Sequence, residues 1–162
     1  MLKQSLVAIA LFAAAGPAMA QDTGEIARVQ AGQSCPGCNL FQADLAYMDL
    51  KAVDVSGARL RQSDMQLATF DDWNLKGANL SVSNLFGARF NRADFSGANL
   101  ERATAVGTYF GRSNFANANL DGANLSGADL SITRGLTQQQ LASACGDTST
   151  ALPKGMSVPA CR

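Results

Sequence analysis

Apolar residues return every five positions along most of this chain. Stepping by five from Leu40 meets Leu40, Leu45, Leu50, Val55, Leu60, Met65, Phe70, Leu75, Leu80, Leu85, Phe90, Phe95, Leu100, Ala105, Phe110, Phe115, Leu120, Leu125 and Leu130, and sixteen of these nineteen are Leu or Phe. A small residue, usually Ala, stands two positions before most of these centres, with Asp or Asn between them. Glycine recurs two positions after the centre, at 57, 77, 87, 97, 107, 122 and 127. Such self-similarity outranks any local propensity as a guide to the fold.

A period of five fits neither regular element. On an α-helix, five steps of about 100° leave the next centre about 140° round the cylinder. On a continuous strand, an odd step sends successive centres to opposite faces. The chain therefore turns once per repeat. The small residue and the centre point inward together from a short extended segment, the Asp or Asn between them points outward, and the remaining two residues form a corner that suits glycine. Such coils, stacked about 4.8 Å apart, satisfy one another's backbone groups and bury their inward faces only against their neighbours. Stepping by twenty gathers Leu50, Phe70, Phe90, Phe110 and Leu130 in one row and Val55, Leu75, Phe95 and Phe115 in another, whereas stepping by fifteen mixes Leu and Phe in every row. The period thus predicts an all-β solenoid with four sides.

The segments Gly-Ala-Asn-Leu-Ser at 77–81, Gly-Ala-Asn-Leu-Glu at 97–101 and Gly-Ala-Asn-Leu-Ser-Gly-Ala-Asp-Leu-Ser at 122–131 resemble the pentapeptide-repeat proteins. That resemblance implies a right-handed quadrilateral β-helix with short helical caps. Nineteen repeats make nearly five coils, a rod roughly 23 Å long. The expected organisation is a signal peptide over residues 1–20, an N-terminal cap with a Cys-x-x-Cys over 21–37, the repeats over 38–132, and a C-terminal helical cap with an irregular tail over 133–162.

The signal is read from Lys3, the apolar run of residues 6–15 and Ala18-Met19-Ala20. The run is shorter than the roughly 20 residues needed to span a bilayer, so no stable membrane anchor is expected, and the localisation implied is periplasmic or secreted. Ile26 and Val29 at helical spacing after Asp22 and Thr23 predict a short helix over 24–30. Thr137 with Gln140 forms a capping box that opens a helix over 136–144, before Gly146. Exported members of the family show a similar Cys-x-x-Cys start and a similar Leu-Thr-Gln to Leu-Pro ending, which supports both segments as caps.

Four cysteines, at 35, 38, 145 and 161, allow three pairings in an exported chain. Bridged Cα atoms lie within about 7 Å, and a rod of this length separates the two pairs by roughly three times that. The expected bridges are therefore Cys35–Cys38 and Cys145–Cys161. The Cys35-Pro36-Gly37-Cys38 run lies in the inward register, unlike a redox motif at an exposed helix N-terminus. No metal site is expected from one Cys-x-x-Cys without histidine. Two departures stand out in the repeats. Trp73 fills a slot meant for a small residue and predicts either an enlarged corner or an outward ring, and Ala105 is a small centre between Leu85 and Leu125.

Composition narrows the function. The chain has no histidine, which removes Ser-His and Cys-His nucleophile pairs, and it carries 13 Lys and Arg against 13 Asp and Glu. No nucleophile elbow and no calcium-binding nonapeptide pattern appears. The chain is expected to be no enzyme, to hold no cofactor and to bind no nucleic acid. Residues twenty apart become neighbours, which sets Phe86 beside Val106 and Tyr47 beside Leu67, with Arg89 beside Tyr109 and Arg92 beside Arg112 across the corner. Exposed apolar side chains ringed by Arg and Tyr match the composition of interface cores. The expected function is a non-catalytic structural or protein-protein interaction module of the periplasm, bound to a protein of unknown identity or to itself. The alternative that the family resemblance implies is a DNA mimic of the gyrase-shielding type, against which the signal segment and the mixed charge argue.

Overall fold

The computed structural model describes residues 20–162, so the expected signal peptide lies outside the described residues except for Ala20. From residue 35 onward the chain winds in coils of twenty residues. Parallel bridges join the Asx positions from 39 to 114 each to the one twenty residues on, for instance Asn79 to Asn99, Asn84 to Thr104, Arg89 to Tyr109 and Asp94 to Asn114.

The expected all-β solenoid, a right-handed quadrilateral β-helix, is corrected by this geometry. Among the described residues there is no β-strand; every bridge is isolated and one residue wide, and the only regular elements are two short helices. The reason lies in the repeat itself. Only the small residue, the Asx and the centre can be extended before the next turn begins, whereas strands usually run 3–10 residues. Pairing between coils therefore cannot propagate along the chain into a strand.

One repeat shows how the backbone is satisfied without strands. Leu80 N–H donates to Asn99 O at 2.7 Å and Val82 N–H to Glu101 O at 2.9 Å, both in the next coil, while Asn84 N–H donates to Ser63 O at 3.0 Å in the previous one. Ser83 N–H closes the turn onto Leu80 O at 3.1 Å. The remaining donor, Ser81 N–H, goes to the Asn79 side chain at 3.0 Å. This explains the Asx position: its side chain accepts from the turn N–H two residues on, as Asp54 does from Ser56, Asn74 from Lys76 and Asp94 from Ser96. The Ser56 backbone N–H is also the leading cause that holds the Asp54 carboxyl below its ordinary range.

The core is a single column of inward side chains. Phe70, Phe90 and Phe110 form one stack with ring centroids 5.3 and 5.8 Å apart, and Phe95 and Phe115 form a second at 5.0 Å. Edge-on contacts near 5.1 Å between Phe90 and Phe95 and between Phe110 and Phe115 tie the stacks together. Each such pair contributes about 0.5–1.5 kcal/mol beyond burial. Ala105 is buried beside them. Where the small slot is polar, its hydroxyl is matched by a carbonyl, Thr108 donating to Leu85 O and Ser113 to Phe90 O; among the described residues only Ser63 Oγ is buried without a partner.

Helix α1, Thr23–Gln30, is capped by Asp22, whose side chain accepts from Gly24 and Glu25 N–H, and it buries Ile26 and Val29. Its polar side chains serve the first coil's edge, Glu25 accepting from Asn39 N–H and Gln30 donating to Asp44 O. Helix α2, Gln138–Ala142, opens with the Thr137–Gln140 capping box. It is shorter than the 136–144 span that the sequence suggests, because Leu125 N–H draws Cys145 O back into the stack, where Cys145 bridges Asn124. Disulfides join Cys35 to Cys38 and Cys145 to Cys161, with Cα separations of 5.5 and 4.8 Å. No described helix is long and apolar enough to cross a membrane.

Candidate interaction surface

One corner of the stack presents apolar side chains to solvent in successive coils. Backbone bonds set its order: Tyr47 N–H donates to Gln66 O, Leu67 N–H to Phe86 O and Gly87 N–H to Val106 O, at 2.9, 2.8 and 2.9 Å. Tyr47 is 70%, Leu67 50% and Phe86 46% exposed, and Val106 is half-buried. Tyr47 and Leu67 occupy the left-handed turn position at φ 62° and 53°, which Gly87 and Gly107 fill in the following coils. Leu67 lies across Gly87, where an added Cβ would come within 2.7 Å of Leu67 Cδ2. The missing side chain at Gly87 thus leaves room for Leu67.

The neighbouring face is built differently from what residue spacing suggests. Arg89 and Tyr109 are bridged, but Arg89 is held by Asp71, donating through Nε at 3.1 Å and through Nη2 in a shorter bond. Asp71 is buried and also accepts from Asn91 N–H. Arg92 makes a two-point pair with Asp72 at 2.7 and 2.6 Å. Arg92 is the leading cause that holds the Asp72 carboxyl below its ordinary range. Tyr109 folds back over Gly111, whose absent Cβ would sit 2.1 Å from the tyrosine hydroxyl, and Arg112 is exposed. The structure therefore brings Tyr47, Leu67, Phe86 and Val106 onto one ridge, while Arg89 and Arg92 are held in ion pairs beside it. Asp71 and Asp72 are the residues that spacing did not single out. The Asp72–Arg92 pair, twenty apart, was open to a row reading; Asp71–Arg89, eighteen apart, runs diagonally between rows and was not.

The repeats match the family described as pentapeptide repeats in eight copies, over residues 38–72, 63–102 and 93–131. The chain belongs to this family. Pentapeptide-repeat proteins are non-catalytic, and so is this one. Its fold is similar to that of QnrB1, a plasmid-mediated fluoroquinolone resistance protein, at a TM-score of 0.55 and 15% identity over 75% of this chain and 79% of that one. A pentapeptide repeat protein from the Arabidopsis thaliana thylakoid lumen matches at 27% identity over 59% of this chain and 73% of that one, with a TM-score of 0.37. HetL from the cyanobacterium Nostoc sp. strain PCC 7120, involved in heterocyst differentiation regulation, matches at 22% identity over 79% and 60%, with a TM-score of 0.36. No curated protein matches the chain.

Proposed function

We propose that this pentapeptide-repeat protein works by binding another protein, or a second copy of itself, through the ridge of Tyr47, Leu67, Phe86 and Val106. The observation that carries this reading is the cost of the ridge. A non-glycine residue in the left-handed region costs roughly 1–2 kcal/mol, and Tyr47 and Leu67 stand there while exposed and apolar. Stability would favour glycine at both positions, as at 87 and 107, whereas binding favours the side chains. The ion pairs of Asp71 with Arg89 and Asp72 with Arg92 form a polar rim beside the apolar ridge, the arrangement of a protein interface. The test is Phe86→Ser with Val106→Ser, read by sedimentation velocity and by in-cell crosslinking with mass spectrometry. Loss of the crosslinked species supports the ridge; an unchanged oligomeric state together with an unchanged crosslink set overturns it.

Residues 1–20 support export, with the periplasm as the site of action; fractionation of cells that express the full chain tests this. A second reading is the DNA mimic of the gyrase-shielding type. The likeness to QnrB1 favours it, and the comparisons lend it more support than they lend a periplasmic location. Charge speaks against it, because arginines pair with the acidic residues that such a mimic would display. Adding the purified chain to gyrase under a fluoroquinolone decides the matter: restored supercoiling supports the mimic, and unchanged inhibition removes it.

A further inference from the structure

The hydrogen-bond pattern of the repeats stops at one side of the last coil. One coil earlier, Gly97 N–H donates to Ala116 O and Leu100 N–H to Asn119 O, each at 2.8 Å, and Ala98 O accepts from Asn119 N–H at 2.9 Å. On the matching side of the next coil, residues 117–120, α2 stands where a further coil would be. Gln140 Nε2 donates to Ala118 O at 2.8 Å and so supplies the donor that a next coil would have brought. No described residue supplies the two acceptors. The N–H groups of Asn117 and Leu120 have no hydrogen-bond partner among the described residues, although Leu120 is only 1% exposed. The other three sides are continued, by Cys145 next to Asn124, Ala151 next to Asp129 and Arg134 next to Asn114.

Between this side and α2 lies a cleft of about 660 Å³. Its size falls within the roughly 300–1,000 Å³ of ligand sites. Small residues, Ala116, Ala142 and Ser143 among them, line it and leave room for a main chain to approach. Asp121 is the one charged residue in the lining.

We propose that this cleft takes an extended polypeptide segment of a partner protein that carries a lysine or arginine. Two main-chain carbonyls of the segment, three residues apart as Ala116 and Asn119 are, accept from Asn117 and Leu120 N–H. The basic side chain meets Asp121. This is strand addition at a sheet edge reduced to single-residue pairing: the main chain supplies the hydrogen bonds and one side chain the selectivity. An unmatched donor at a buried position costs about 1–3 kcal/mol, which the segment relieves. The cleft lies apart from the Tyr47–Phe86 ridge, and the two readings stand or fall separately.

A phage-displayed library of linear heptapeptides, panned against the full chain, supplies the probe, and amide exchange by NMR reads the site. In the free chain the Leu120 amide exchanges at least tenfold faster than that of Leu100. An enriched peptide carries Lys or Arg, slows exchange at Asn117 and Leu120 at least tenfold, and leaves Leu67 and Phe86 unchanged. Ala142→Trp fills the cleft and weakens binding at least tenfold; Asp121→Asn, which leaves the packing alone, removes the preference for Lys or Arg and covers the case in which Ala142→Trp does not fold. Equal protection of Leu120 and Leu100 in the free chain overturns the proposal. So does a library without enrichment, or an enriched species whose protection maps to the ridge or to a contact between two copies of this chain.

Discussion

The indole Nε1 of Trp73 donates a 2.7 Å hydrogen bond to the carbonyl of Leu50, across to the preceding coil. The ring is fully buried and packs 4.4 Å from Phe70, while the bridges from Asp54 to Asn74 and from Asn74 to Asp94 keep the twenty-residue step unbroken. The coil therefore accommodates a tryptophan in a small-residue slot without an inserted residue and without turning the ring outward. Leu50 and Met48 are half-buried and pack against the same core.

Trp73→Ala removes the largest buried side chain and is expected to destabilise by about 3–5 kcal/mol. Trp73→Phe keeps most of the contact but leaves Leu50 O unpaired, a loss of about 1–3 kcal/mol. Urea melts followed by circular dichroism check both. Since the chain has one tryptophan, its emission reports this site alone. A solvent-exposed emission maximum in the folded wild type would contradict the buried indole.

The Phe column makes a charge intolerable at its centre. Phe90 touches Phe70, Phe95 and Phe110, and no described cation faces it, so Phe90→Asp is expected to prevent folding. A cooperative melt near the wild-type temperature would refute this.

The inward residues were legible in the sequence because a side chain's direction depends only on its place within five. The Asx side chains, by contrast, close the turn that follows them, as Asn79 does for Ser81, a local bond that a row-by-row reading passes over. The strand content was misjudged for a definite reason. Alternating direction at the small residue and centre reads as a strand, yet the turn two residues later limits pairing to one residue, as at Asn79 and Asn99. On the candidate surface, Phe86 and Val106 could be placed from spacing, and so could Asp72 opposite Arg92, twenty apart, whereas Asp71, which holds Arg89, could not, since it reaches across rows.

Val82 stands at φ 59° and is 41% exposed. A β-branched side chain is the least suited to that region. Val82→Gly is expected to stabilise by up to about 1–2 kcal/mol from relieved strain, less the entropy glycine loses on folding. Differential scanning calorimetry should show a higher melting temperature for the glycine variant; a lower one would mean that the valine side chain packs usefully at that corner.

The Cys145–Cys161 bridge closes a loop with a sequence separation of 16 and holds the tail, where Gly146 bridges Ala160, against the last coils. A loop of this size gives a bridge worth about 3 kcal/mol on the chain-entropy account. The paired change Cys145→Ser with Cys161→Ser should release residues 146–162 to proteolysis while the repeats stay folded. Limited trypsin digestion then cuts after Lys154, and a tail that resists cleavage as the wild type does would show that the bridge is dispensable.

Arg92 holds the Asp72 carboxyl below the ordinary carboxylate range, and this fixes the sign of one pH effect. A carboxyl whose folded pKa lies below its unfolded value, about 3.9, contributes stability fully above that value and loses it as pH falls through the folded pKa. Asp72→Asn should therefore lower the melting temperature at pH 7, and the gap to wild type should close below about pH 4, where the wild-type carboxylate takes up its proton. Because the pair is exposed, added salt should also narrow the gap at pH 7. Melting curves from pH 2 to pH 8 check this. A deficit of constant size across that range would overturn the ion-pair account, and the turn at φ 60° could not supply it instead, since asparagine and aspartate tolerate that backbone alike.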